Sequence, residues 1–128
     1  MTLKLSPKQR KDIFHLPIEQ AILVPSTKQA NKPVSNPEFN RRVAEVRKYL
    51  SKEFGGYTSV KGVGGYYSDD KKRLIKEKIA KVTGFSQKKD WNQKKILAQL
   101  SKWSKKWGQE SMGYEHEGDL YYVPKNLK

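Results

Sequence analysis

The chain has 128 residues, 35% hydrophobic and 31% charged, with 27 Lys+Arg against 13 Asp+Glu for a formal net charge of +14. That length suits one domain with a single core, and three Trp, four Phe and seven Tyr place it outside the disordered class. The lack of cysteine excludes thiolate catalysis, Cys-based zinc sites and disulfides. No apolar run approaches the ~18 residues of a membrane span, and none follows the basic N-terminus as a secretory signal requires.

Residues 1–20 form a basic extension, MTLKLSPKQRKDIFHLPIEQ, in which Ser6-Pro7 can cap a short helix. Either an arm that orders on a partner or a strap over the core fits it. The domain proper is expected over 21–128. Ala21 to Val24 reads as a buried strand closed by Pro25-Ser26-Thr27, and Lys28 to Asn36 as a loop. Asn36 as N-cap, Pro37 in the first turn and Gly55-Gly56 as the stop bound a helix. Its stripe is Phe39, Val43, Val46, Leu50 and Phe54, and its outer face mixes Arg41, Glu45, Lys48 and Lys52.

The stretch Phe54 to Ser68 holds five of the nine glycines and three of the seven tyrosines. After Gly56 its Thr, Val and Tyr favour a strand, with Ser68-Asp69-Asp70-Lys71 as a turn. For Arg73 to Phe85 two patterns compete. Leu74, Ile75, Ile79 and Val82 fit a helical face, whereas Ile75-Glu77-Ile79 alternates like a strand; the need for a hairpin partner favours the strand. A second helix is expected from near Asp90 to Gly108, with Ile96, Leu97, Leu100, Trp103 and Trp107 on one arc. Lys94, Lys95, Lys102, Lys105 and Lys106 share the opposite arc without an acid. Two last strands follow, joined at Gly118-Asp119. Gly108 to Pro124 has four acids and no Lys or Arg. The resulting α+β fold class is ferredoxin-like: a βαββαβ antiparallel sheet with two helices on one face and an extra C-terminal hairpin strand.

With the elements placed, the sequence resembles a loose set of small, mostly uncharacterised proteins of phages, plasmids and other mobile elements. The resemblance rests on Ile22, Val24 and Pro25-Ser26-Thr27 after the first strand, and on Phe54-Gly-Gly-Tyr-Thr58 at the helix end. Gly62, Gly64 and Tyr66 in the next strand and Gly108-Gln109-Glu110 before the last strands complete it. It spans roughly residues 21–123 and implies a ferredoxin-like fold and a mobile-element setting, with no assigned chemistry. The Lys-rich second helix and the N-terminal extension stand outside it.

The excess of base over acid points to a polyanion partner, DNA or RNA, held through phosphates with little sequence readout, because only five of the 27 cations are Arg. Lys94, Lys95, Lys102, Lys105 and Lys106, with Arg10, Lys11 and Lys61, would neutralise phosphates, and Tyr66 or Tyr67 would stack bases. The competing structural explanation is a solvated basic face, with glycines marking a bulge or a close backbone approach. A second function class is a protein-interaction or inhibitor module docking on a host factor. In a homodimer, the acidic last hairpin would instead pair with a neighbour's basic helix. A third is a small nuclease or nucleotide hydrolase in which Ser26 or Thr27 is activated by His116, although Ser/Thr after a strand commonly only turns the chain. The balance of these readings is against an enzyme. No metal and no cofactor is expected, since Glu115 and Glu117 flank His116 and project to the other side of the strand. No membrane partner is expected, and the setting is taken as cytoplasmic.

Overall fold

The computed structural model describes residues 2–29 and 31–128; Met1, in the extension, and Ala30, in the loop expected over Lys28–Asn36, lie outside the described residues. A short helix α1 (Pro7–Asp12) is closed by a Ser6/Gln9 capping box. There follow β1 (Ile18–Pro25), the small hairpin β2 (Thr27–Lys28) and β3 (Lys32–Pro33), and the long helix α2 (Asn36–Phe54). Then come β4 (Thr58–Ser68), β5 (Arg73–Ser86), a 3-10 turn at Lys88–Asp90, α3 (Gln93–Lys106), β6 (Ser111–His116) and β7 (Asp119–Pro124). Residues 73–86 are therefore strand, paired over Arg73–Thr83 with β4 and over Ile79–Ser86 with β1.

The five-stranded sheet has the order β4-β5-β1-β6-β7 with every neighbour antiparallel. The first long strand thus lies between the third and the fourth, as the ferredoxin-like arrangement requires, and β7 adds an edge strand. Both α2 and α3 pack on one face, where Ile22, Val24, Ala80, Val82, Met112 and Tyr114 meet Val43, Val46, Leu50, Ile96, Leu100 and Trp103. Each fully buried aliphatic side chain there contributes about 1.5–3 kcal/mol. Among the described residues no helix is long and apolar enough to cross a membrane.

Strand β1 begins at Ile18 rather than Ala21, inside the expected extension, and the β2–β3 hairpin stands where a loop is expected. Three further element ends differ from the sequence reading, each for a local reason. The cap of α2 is Ser35, whose hydroxyl accepts from the Glu38 amide, while the Asn36 side chain accepts from Lys78 Nζ at 2.8 Å. Helix α3 starts after Asn92 rather than near Asp90. Trp91 interrupts the run: its ring stacks on His116 at 4.4 Å and its Nε1 donates to the Tyr114 hydroxyl at 3.1 Å. The last hairpin turns at Glu117-Gly118, both with positive φ, instead of Gly118-Asp119. Two left-handed residues match the twist of the paired strands, and the Glu117 carboxylate accepts from the Glu19 amide at 3.0 Å, tying the turn to β1.

Candidate functional site

The face of the sheet opposite the helices has no covering layer among the described residues. Strand alternation places Leu23, Ile75, Glu77, Ile79, Gly64, Tyr66, Gly113 and Tyr122 on that side. Strands β4 and β5 run on past the end of β1, which stops where Pro25 pairs with Ile79, so their far halves overhang as a two-stranded arm. Between the arm, the end of β1, the β2–β3 hairpin and the start of β6 lies a cleft of about 670 Å³. Leu23 and Ile79 are among its apolar lining residues, Tyr66 and Tyr122 its aromatic ones, and Lys71 and Arg73 bring positive charge.

Glu77 supplies a carboxylate in this cleft. It sits directly across the β4–β5 ladder from Gly64, whose missing side chain leaves the space beside it open. The buried Thr27 hydroxyl donates to Glu77 Oε2 at 2.9 Å. Asn31 Nδ2 donates to the Tyr66 phenol oxygen at 3.0 Å. The Thr27 carbonyl accepts from Gln109 Nε2 at 2.6 Å and from Arg42 Nη1 at 2.8 Å. Arg42, 3% exposed, also donates to the Pro25 carbonyl and to Glu38, and its guanidinium lies over the Trp107 ring. The Glu38 carboxyl is held below the usual carboxylate range, first by its bond to Arg41 and also by Arg42. A fixed carboxylate, two tyrosines and a positively charged margin suit a small molecule carrying both signs of charge. Among the described residues no cluster of His, Asp and Glu could hold a metal ion.

The residues expected to bind nucleic acid do not share a surface. Arg10 and Lys11 lie on α1, Lys61 and Tyr67 on the helix side of β4, Tyr66 on the open side, and Lys94, Lys95, Lys102, Lys105 and Lys106 on α3. Lys61 Nζ reaches Asn40 of α2 at 3.3 Å and lies over the Phe39 ring. The lysine arc of α3 is also partly neutralised: Lys95 pairs with Glu53, and Lys106 with Glu45 at 2.8 Å, across the seam with α2. The hydrolase trio is not assembled either. His116 pairs with Gln20 on β1, so Ser26 and Thr27 lie about 20 Å away at roughly 3.3 Å per residue. The ring of His116 is stacked on Trp91. Thr27 does belong to the site, as a donor to Glu77 rather than a nucleophile beside histidine.

Sequence reasoning missed Glu77, Asn31, Gln109 and Arg42 as site residues. Three had a signal: Glu77 is the one carboxylate in the apolar alternation Ile75-Glu77-Ile79, Arg42 falls on the buried stripe between Phe39 and Val46, and Gln109 stands in the Gly108-Gln109-Glu110 motif. Three of the four short motifs behind the mobile-element resemblance converge here, since Pro25, Thr27, Gly64, Tyr66 and Gln109 all line the cleft, whereas Phe54–Thr58 does not reach it.

No protein-family model matches the chain, and no curated protein matches it in sequence. Two solved structures share the fold. A phage SAM lyase in complex with S-methyl-5'-thioadenosine is 14% identical, with a TM-score of 0.58 over 84% of this chain and 88% of that one. A phage SAM lyase in the apo state is 12% identical, with a TM-score of 0.53 over 87% and 91%. Both neighbours are structures of an enzyme and one holds a small nucleoside, which overturns the expectation of a nucleic-acid-binding protein drawn from the basic charge and the tyrosines of β4.

Proposed function

We propose that this chain is an enzyme that takes S-adenosylmethionine into the cleft beside Glu77 and Tyr66 and cleaves it to S-methyl-5'-thioadenosine. The observation that carries the reading is the convergence of separate motif residues and a hydroxyl-bound carboxylate on one cleft, in a chain that shares its fold with phage SAM lyases. Their phage origin also supports the mobile-element setting implied by the short motifs.

The chemistry asks little of the protein in the way of proton transfer. Taking S-methyl-5'-thioadenosine out of S-adenosylmethionine leaves its four-carbon amino-acid arm, so the bond that breaks joins the sulfonium to that arm's terminal carbon. The electron pair of this bond goes to sulfur, which departs as a neutral thioether needing no acid. The arm's own carboxylate oxygen closes on the carbon, forming a five-membered lactone without water. Folding the arm for that closure is an orientation effect, the kind worth several kcal/mol. Positive charge on sulfur disappears in the transition state, so a carboxylate touching sulfur would favour the ground state. Glu77 therefore serves the ammonium end, whose charge persists, and the faces of Tyr66 and Tyr122 are left for the base.

The test is incubation of the purified chain with S-adenosylmethionine and chromatography of the products. S-methyl-5'-thioadenosine and the lactone are expected, with kcat/KM at least tenfold lower for Glu77→Gln. A chain that neither forms nor binds S-methyl-5'-thioadenosine would refute the reading.

A further inference from the structure

We infer that the β2–β3 hairpin is a positioning element: Thr27 aims the Glu77 carboxylate and Asn31 aims the Tyr66 phenol, so that one loop sets both groups of the cleft. The inference rests on the small-molecule reading of that cleft. Its basis is an economy of contacts. The hairpin has two residues in each strand, and two of its side chains reach over to the β4–β5 arm, each to a residue lining the cleft. Neither contact fills a core. Thr27 is 7% exposed, yet its hydroxyl is spent on a carboxylate fifty positions along the chain.

The loop is built to hold those side chains still. Val34 N donates to the Ser26 carbonyl at 2.8 Å, closing its base. Arg42 and Gln109 both grip the Thr27 carbonyl, linking the hairpin to α2 and to the segment after α3. Asn31 adopts a left-handed φ of 61°, a conformation that Asn tolerates better than most residues, and this brings its amide to Tyr66. Because the Asn31 amide donates, the phenol oxygen of Tyr66 accepts, and the phenol proton stays available to a ligand. Likewise Thr27 occupies Oε2 of Glu77 and leaves Oε1 for the substrate.

The substitutions that isolate these contacts leave the backbone in place. Thr27→Val keeps the shape and removes the hydroxyl, Thr27→Ser keeps the hydroxyl, and Asn31→Gly keeps the left-handed turn while deleting the amide. For Thr27→Val, kcat/KM for S-adenosylmethionine is expected to fall roughly ten- to hundredfold through a raised KM, as misplacement of a binding group does. Thr27→Ser should recover to within about threefold, Asn31→Gly should lower kcat/KM by at least about fivefold, and thermal midpoints should stay within a few degrees. NMR of the full chain supplies a readout independent of turnover: a slowly exchanging Thr27 hydroxyl proton that is lost or displaced in Glu77→Gln. If wild type cleaves the sulfonium and Thr27→Val and Asn31→Gly match its kinetics, the positioning role is refuted and the enzyme reading stands. An undetectable hydroxyl proton removes the Thr27 contact whatever the chain catalyses. A wild-type chain that does not cleave the substrate removes the enzyme reading, and the hairpin's role in that reaction with it.

Discussion

Replacing Arg42 by Met tests whether the buried guanidinium is what fastens the cleft to the helices. Arg42 is 3% exposed and donates to the carbonyls of Pro25 and Thr27 at 2.9 and 2.8 Å, to that of Trp107 at 3.5 Å, and to Glu38 at 3.1 Å. Breaking a buried ion pair outright costs about 3–5 kcal/mol. Here the loss is softened, because Glu38 is partly exposed and keeps Arg41, while the carbonyls of Thr27 and Trp107 keep Gln109. The Pro25 carbonyl loses its side-chain donor, which costs about 1–3 kcal/mol if nothing replaces it. A total of about 2–4 kcal/mol follows for Arg42→Met. An unfolding entropy of about 2.1 cal/mol/K per residue gives about 0.27 kcal/mol/K for a chain of 128 residues. The thermal midpoint should then fall by about 7–15 °C, measured by circular dichroism or calorimetry. The shared acceptors add a sharper expectation. Gln109→Ala should cost about 1–2 kcal/mol more in the Arg42→Met background than in wild type, because only there do the carbonyls of Thr27 and Trp107 lose both donors. Additive losses, or a midpoint within 3 °C for Arg42→Met, would refute the assignment of Arg42 as the fastener.

Gly64→Val should block the cleft without harming the fold: a Cβ there meets Ile79 at an ordinary 3.6 Å, and Val suits a strand better than Gly. Binding of S-methyl-5'-thioadenosine by calorimetry should weaken at least tenfold at an unchanged or raised thermal midpoint. At Gly113 a new Cβ would lie 2.7 Å from Leu23 Cδ1 and 3.2 Å from Leu23 Cγ, so Gly113→Ala should push Leu23 into the cleft, costing about 1–3 kcal/mol in denaturant unfolding and raising KM. Burial, with Glu53 and Tyr114 nearby, pushes the Tyr49 phenol up to about 12 from its ordinary 10.0. Its contribution to stability is therefore complete below pH 10 and lost as pH rises towards about 12, and Tyr49→Phe should flatten that alkaline decline in thermal midpoint.

Most of the fold was legible because its punctuation is local. Pro37 and Gly55 bound α2, Ser6 and Pro7 open α1, and the period of Ile96, Leu100, Trp103 and Trp107 marks α3. The stretch 73–85 was ambiguous because its apolar residues fit both periods; what decides for strand is the ladder to β4 and β1, a non-local fact. The cap of α2 slipped by one residue because two good capping residues, Ser35 and Asn36, stand side by side, and a lysine on a distant strand engages the second.

The site was harder to read, for a reason that the charges make plain. A count of cations says how much positive charge a chain carries, not where its acids come to lie. Lys95 and Lys106 look unopposed along their own helix, yet Glu53 and Glu45 face them from α2 once the two helices pack side by side. The same blindness hid Glu77. In sequence it is one acid among lysines at 76 and 78; in the sheet its neighbours alternate away to the helix side, and Thr27, Gly64 and Tyr66 come to it from two other segments. Individually those residues have ordinary explanations, a chain turn for Thr27 and a helix-stop corner or bulge for the glycines. Only the antiparallel register, which sets Gly64 opposite Glu77, and the hairpin, which brings Thr27 and Asn31 over the arm, turn four unremarkable residues into one cleft. Chemistry of this kind is written in the pairing of strands, and a single sequence records that pairing only through its effect on each strand's pattern.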